Sequence, residues 1–307
     1  MFKKIEFYTI VMAAFLTVAI FASNVTDTIS PSAVQKQQVN EEGLAQVVES
    51  ADLNRPFDFA GEALPMDNFD VRERLDRELM VNSYWHSSTI LNIKASARYF
   101  PLFEKIFAEY GIPDDFKYIA VAESSLRNVT SPAGAKGFWQ FMKSVGESFD
   151  LEISSEVDER FHIEKATHAA CQHFLGLKKR FGSWTLAAAA YNVGPTKLAR
   201  EKEEQRASTY YDMNLNEETS RYIFRLVAIK EILKDPKSYG FYLEKEDYYP
   251  PLDDFAVVET SESIPNLGDF AQKYGTTYRL LKVYNPWLID GQLTNSKGKV
   301  YQIKIPK

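Results

Sequence analysis

Glu123 is the residue whose setting most resembles a reaction centre. It lies in the run Asp114-Asp115-Phe116-Lys117-Tyr118-Ile119-Ala120-Val121-Ala122-Glu123-Ser124-Ser125-Leu126, which is predicted to be helical. Phe116, Ile119, Ala120, Glu123 and Leu126 recur three or four apart and so share one face. Only Lys117 interrupts the apolar character, so the helix is expected to be buried. A carboxylic acid held against apolar side chains has a raised pKa, because burial disfavours the charged form. Such a Glu stays protonated near neutral pH and can serve as a general acid. A blander reading is also open: Glu123 marks the helix C-terminus, where Ser124 and Ser125 turn the chain to water.

Downstream stand Gly137-Phe138-Trp139-Gln140-Phe141-Met142, then Ala190-Tyr191-Asn192-Val193-Gly194, then Glu218-Thr219-Ser220-Arg221-Tyr222. Read as Glu-Ser, Gly-x-x-Gln-x-Met, Ala-Tyr-Asn-x-Gly and Glu-Thr-x-x-Tyr, this order and spacing resembles the soluble-type lytic transglycosylases, above all their membrane-bound murein transglycosylase D branch. The resemblance covers roughly residues 70 to 235. It implies a lysozyme-like helical fold, peptidoglycan glycan strands as substrate and no cofactor. The implied reaction cleaves the β-1,4 bond between N-acetylmuramic acid and N-acetylglucosamine and leaves a 1,6-anhydromuramic end. Most glycosidases use two carboxylates, whereas this family needs one. Glu123 would protonate the glycosidic oxygen, then take the proton from the attacking C6 hydroxyl, while the substrate's 2-acetamido group offsets the charge at the anomeric carbon.

The resemblance assigns the other site residues one at a time. Ser131 would hydrogen-bond the acetamido region, although Ser131-Pro132 is also an ordinary turn start. Gln140 and Met142 would line the cleft, and on spacing alone Met142 equally suits a core. The Tyr191 hydroxyl would face Glu123. Asn192 would hold its loop, since Asn-x-Gly is a turn signal. Glu218 and Tyr222 share a helix face four residues apart, either in the cleft or as a buried hydrogen-bonded pair. Trp139 fits a core anchor and a sugar platform equally. Two other functions stay open: a hydrolytic muramidase with a second carboxylate such as Asp158, and a non-catalytic wall-binding protein.

The elements that would position these residues read as helices over a predicted catalytic domain, residues 69–245. Val71, Leu75, Leu79 and Met80 form one stripe. A helix over Ile90–Glu109 is expected to bend or break at Pro101. Gly111-Ile112-Pro113-Asp114 stops it and starts the Glu123 helix. Trp139–Phe149 reads as helical, Asp158 as the cap of a helix over Glu164–Phe181, and Thr219–Leu233 as the last amphipathic helix. Residues 250–307 change texture: a strand at Phe255–Val258, two short helices, and an alternating closing strand from Val300 to Pro306. This small α+β segment resembles a LysM domain, as do Asn285-Pro286-Trp287-Leu288 and Ile303-Lys304-Ile305-Pro306. The Gly-Asp-Thr turn common at the start of LysM repeats is replaced by Thr260-Ser261-Glu262-Ser263-Ile264. Glycan binder and plain packing module are therefore both open readings.

Residues 1–23 read as a secretory signal or an uncleaved N-terminal anchor, with Lys3 and Lys4 before an apolar run from Thr9 to Ala22. No Cys follows that run to carry a lipid. Residues 24–68 read as a polar linker, with a short helix at Glu42–Ala51. A periplasmic location, with membrane anchoring through the N-terminus, and a monomeric state are the expectations. The 307-residue chain has a formal charge of −6, which argues against a general nucleic-acid binder. Its single Cys, Cys171, cannot form an internal disulfide. His168 and Cys171 share a helix face, but two ligands do not make a zinc site, and no metal is expected.

Overall fold

The computed structural model describes residues 49–307. The signal or anchor at 1–23 and most of the predicted linker lie outside the described residues. The later part of that linker is not a linker. Asp58–Phe59 (β1) and Glu62–Ala63 (β2) form an antiparallel hairpin. Its two turn residues, Ala60 and Gly61, both have positive φ, the backbone that matches strand twist in a two-residue loop. Phe57, Phe59 and Leu64 are buried in the main core, so the catalytic core begins before residue 69.

The helices follow as α1 (Phe69–Tyr84), α2 (His86–Tyr110), α3 (Lys117–Ser124), α4 (Lys143–Ser148), α5 (Ile163–Phe181), α6 (Trp184–Val193), α7 (Pro195–Glu204) and α8 (Glu217–Lys234). Val71, Leu75 and Leu79 are fully buried, as the stripe requires. Helix α2 runs unbroken through Pro101. The proline lies on the exposed face, where loss of one backbone donor does least harm. Gly111 (φ 64°) ends α2 in the left-handed region, where glycine carries no Cβ penalty.

Helix α8 organises the domain. It packs along α1, and α3 and α6 also rest on it. Lys230 of α8 donates to Asp58 (2.8 Å) and Asp115 (2.7 Å), tying the hairpin and the turn before α3 to the same helix. The carboxylate of Glu62 accepts from Ser183 Oγ, the Trp184 amide and the Thr185 amide. These bonds hold Glu62 down at about 2, and the anion sits at the N-terminus of α6, where orphan N–H groups need a partner.

Two expectations are corrected. Trp139–Phe149 is not one helix: Gln140 has φ 48° and Met142 is extended, so only Lys143–Ser148 is helical. Asp158 does not cap the helix beginning near Glu164. Its carboxylate accepts from the Arg160 amide in the short 3₁₀ turn Glu159–Phe161, and α5 starts at Ile163.

Past Asp235, Phe241 and Leu243 form a small cluster with Ile93 and Ile232. The C-terminal domain then has the expected order: β3 (Phe255–Thr260), α9 (Leu267–Lys273), α10 (Tyr278–Tyr284) and β4 (Tyr301–Pro306), with β3 and β4 antiparallel, Phe255 opposite Pro306. Asn285 is fully buried. Its amide donates to the carbonyls of Leu281 and Lys304 and its oxygen accepts from the Lys304 amide, which joins α10 to β4. The whole is mainly α, a lysozyme-like helical domain followed by a small α+β domain.

Candidate active site

Glu123 lies on the last turn of α3. The helix ends abruptly because Ser125 (φ 52°) and Leu126 (φ 53°) are both left-handed. For a buried Leu this is a strained backbone costing about 1–3 kcal/mol. The bend ends the helix just after Glu123, which is half-buried. Its pKa is raised. Burial is the largest cause, and the nearby charge of Glu218 adds to it. A hydrogen bond from the Tyr222 hydroxyl to Oε1 (2.6 Å) and the charge of Arg225 oppose the rise.

The tyrosine bonded to the carboxyl is therefore Tyr222, one turn into α8. The Tyr191 hydroxyl donates to the Trp139 carbonyl. Tyr191 still belongs to the site: burial and the charge of Glu123 push its pKa well above 10. The same two causes raise Tyr222, so both phenols stay protonated and act as donors. Trp139 is a core anchor. It is fully buried, and its indole N–H donates to Thr167 Oγ1 (3.0 Å).

Asn192 joins α6 to α8. It accepts from Thr219 Oγ1 (3.0 Å) and donates to Glu218 (3.4 Å). Glu218 is exposed and bonds Asn192 rather than Tyr222. Gln140 closes the loop before α4 by donating to the carbonyls of Val129 (3.2 Å) and Gly137 (2.7 Å). Ser131 does what a turn serine does, accepting from the Ala135 amide (3.0 Å). Met142 is 44% exposed, so it is a surface side chain and not a core one.

Asp158 is 1% exposed and bound by both Arg160 and Lys136. These partners hold its pKa below the ordinary value and leave it no freedom to act as a second catalytic carboxylate. Cys171 is buried and its thiol is pushed up to about 12. His168 pairs with Tyr110, and burial lowers His173 to about 4. Among the described residues no group of three or more His, Cys, Asp or Glu could hold a metal ion.

Two residues that sequence reasoning passed over complete the arrangement. Arg225 stands three residues after Tyr222 on α8, and its charge reaches Glu123. It faces Glu78, 1% exposed on α1, which accepts from Arg221 (2.6 Å) and lies 3.7 Å from Arg225. A lone Glu among the polar residues of α1 carried no signal of burial.

The chain matches the transglycosylase SLT domain over residues 101–214 and the soluble lytic transglycosylase C-terminal LysM-like domain over residues 256–307. It is 27% identical over 258 residues to the membrane-bound lytic murein transglycosylase D of Escherichia coli strain K12, and equally to that of strain O6:H1. The alignment covers 81% of this chain and 55% of each relative, so the chain spans about half the length of the curated relatives it matches. The domain match stops before α8, the helix that supplies Tyr222. The chain thus carries a transglycosylase SLT domain followed by a LysM-like domain of the lytic transglycosylase C-terminal type.

Proposed function

We infer that the protein is a peptidoglycan lytic transglycosylase working outside the cytoplasmic membrane, with Glu123 as its one catalytic carboxylate. The observation that carries this reading is a half-buried glutamic acid with a raised pKa and a tyrosine donor, in a domain of the SLT type. Protonated Glu123 gives its proton to the glycosidic oxygen between N-acetylmuramic acid and N-acetylglucosamine. The resulting carboxylate, steadied by Tyr222, then accepts the proton of the muramic C6 hydroxyl as that oxygen closes the 1,6-anhydro ring. Holding the hydroxyl against the anomeric carbon gives it the intramolecular advantage over water. Gln140, Met142, Asn192 and Glu218 would contact the strand around this point, while Ser131 shapes the loop beside it.

Periplasmic location and anchoring rest on the apolar N-terminal run and on the name of the E. coli relative. No helix among the described residues is long and apolar enough to cross a membrane. Glu123→Gln keeps the shape and removes the proton. It is expected to slow peptidoglycan lysis by at least about 10²-fold, the lower end of a general acid's contribution. Lysis at the parent rate would refute the assignment.

A further inference from the structure

The C-terminal domain is not tethered loosely behind the catalytic one. Both belong to the same compact unit, and residues 152–164 of the catalytic domain carry a dense set of docking contacts. Val157 forms a β-bridge with Leu288, the Asp158 amide donates to the Trp287 carbonyl (2.9 Å), and the Ile289 amide donates to the Glu156 carbonyl (2.8 Å). Trp287 is 4% exposed and stacks between His162 (5.6 Å) and Tyr301 (5.8 Å). Glu156 accepts from Gln292 and twice from Thr294. Lys299 and Tyr301 reach Glu152, and Lys304 reaches Glu164.

The other side of this segment grips the loop that carries Gln140. Asp158 binds Arg160 through both oxygens, at Nε (2.9 Å) and Nη2 (2.7 Å). The remaining nitrogen, Nη1, donates to the carbonyls of Gly134 (3.2 Å) and Phe141 (3.1 Å), near the two ends of the loop. Gly137 (φ 79°) lies so close that a Cβ would stand 1.9 Å from the Arg160 carbonyl oxygen. Asn128 donates to the Phe161 carbonyl, and Lys136 pairs with Asp158. Arg160 itself is 4% exposed.

We propose that Arg160 is a positioning residue for the reaction and that the C-terminal domain is the strut holding it, so that module sets the shape of the catalytic loop whether or not it also binds glycan. The inference rests on the transglycosylase reading of Glu123. A planar guanidinium serves two carboxylate oxygens and two carbonyls at once, which a lysine ammonium cannot do. The strut acts through covalent continuity and directed hydrogen bonds, so it affects every substrate, long or short.

The test uses the full-length protein with Arg160→Lys and, on the docking face, Glu156→Ala, which removes three acceptor bonds without emptying either core. Activity is measured on whole peptidoglycan and on a short soluble glycan, together with hydrogen exchange of residues 130–142. Arg160→Lys is expected to lower kcat about tenfold or more on both substrates, the scale of effect when reacting groups are displaced. The pH at which activity falls stays unchanged, and exchange rises in 130–142 but not in α8. Glu156→Ala moves the same quantities in the same direction by less. Losses confined to whole peptidoglycan, or a parent-like kcat and exchange in Arg160→Lys, overturn the proposal. A parent protein inactive on both substrates overturns the reading of Glu123 instead, and the exchange comparison then still decides the strut.

Discussion

At the scale of single residues, the behaviour of the site turns on the charge of Glu123. As the proposed general acid it must be protonated, so activity is expected to fall as pH rises through its raised pKa. Tyr222 favours the ionised form by donating to it. Tyr222→Phe removes that donor, raises the pKa further and should move the falling limb of the kcat profile to higher pH, as a pH–rate series would show. Stability follows with its own sign. A Glu pKa raised above the ordinary 4.5 means that the unfolded chain ionises first, so folding loses stability as pH rises above about 4.5. Glu123→Gln escapes that loss. Thermal melts should find it more stable than the parent at neutral pH, with the difference vanishing below about pH 4. Glu123 was legible because a carboxylate on an apolar face is conspicuous and its motif is local. Which tyrosine bonds it was not legible: Tyr191 and Tyr222 are both motif residues, and only the packing of α3 on α8 chooses between them.

At the scale of elements, α8 is both scaffold and electrostatic control. It brings Tyr222 to Glu123 and Arg225 near it, while Glu78 of α1 offsets Arg221 and Arg225 from behind. In Glu78→Gln the arginines face a neutral amide, and their positive charge acts more strongly on Glu123. That favours the carboxylate and should move the falling limb to lower pH, the direction opposite to Tyr222→Phe. An unchanged or raised limb would show that Arg225 does not tune the site. Helix existence was largely legible from apolar spacing, as in α1 with Val71, Leu75 and Leu79. The stretch Trp139–Phe149 was not, because its helix-like spacing hides a left-handed Gln140 fixed by two carbonyls from elsewhere in its loop. Pro101 misled in the opposite sense: propensity predicted a bend or break, and a proline on the exposed face of a long packed helix is tolerated.

At the scale of the whole molecule, residues 50–307 form one body with two folds. The β-α-α-β order of the second fold was readable from alternation and turn residues. Its docking was not, since Trp287 looks the same in sequence whether it faces glycan or a neighbouring loop. The same holds for Phe57 and Phe59, which sit in a polar-looking stretch and are core residues of the catalytic domain. Asp158, the second carboxylate a hydrolytic reading would need, is locked away in the joint between the domains, and in the proposed reaction Glu123 acts alone. The direct measurement is digestion of peptidoglycan in isotopically heavy water, with mass spectrometry of the released fragments. Ring closure by the C6 hydroxyl predicts 1,6-anhydromuramic ends without label from the solvent. Reducing ends that carry the heavy oxygen would mean that water attacks the anomeric carbon, and would contradict a reaction run by Glu123 alone.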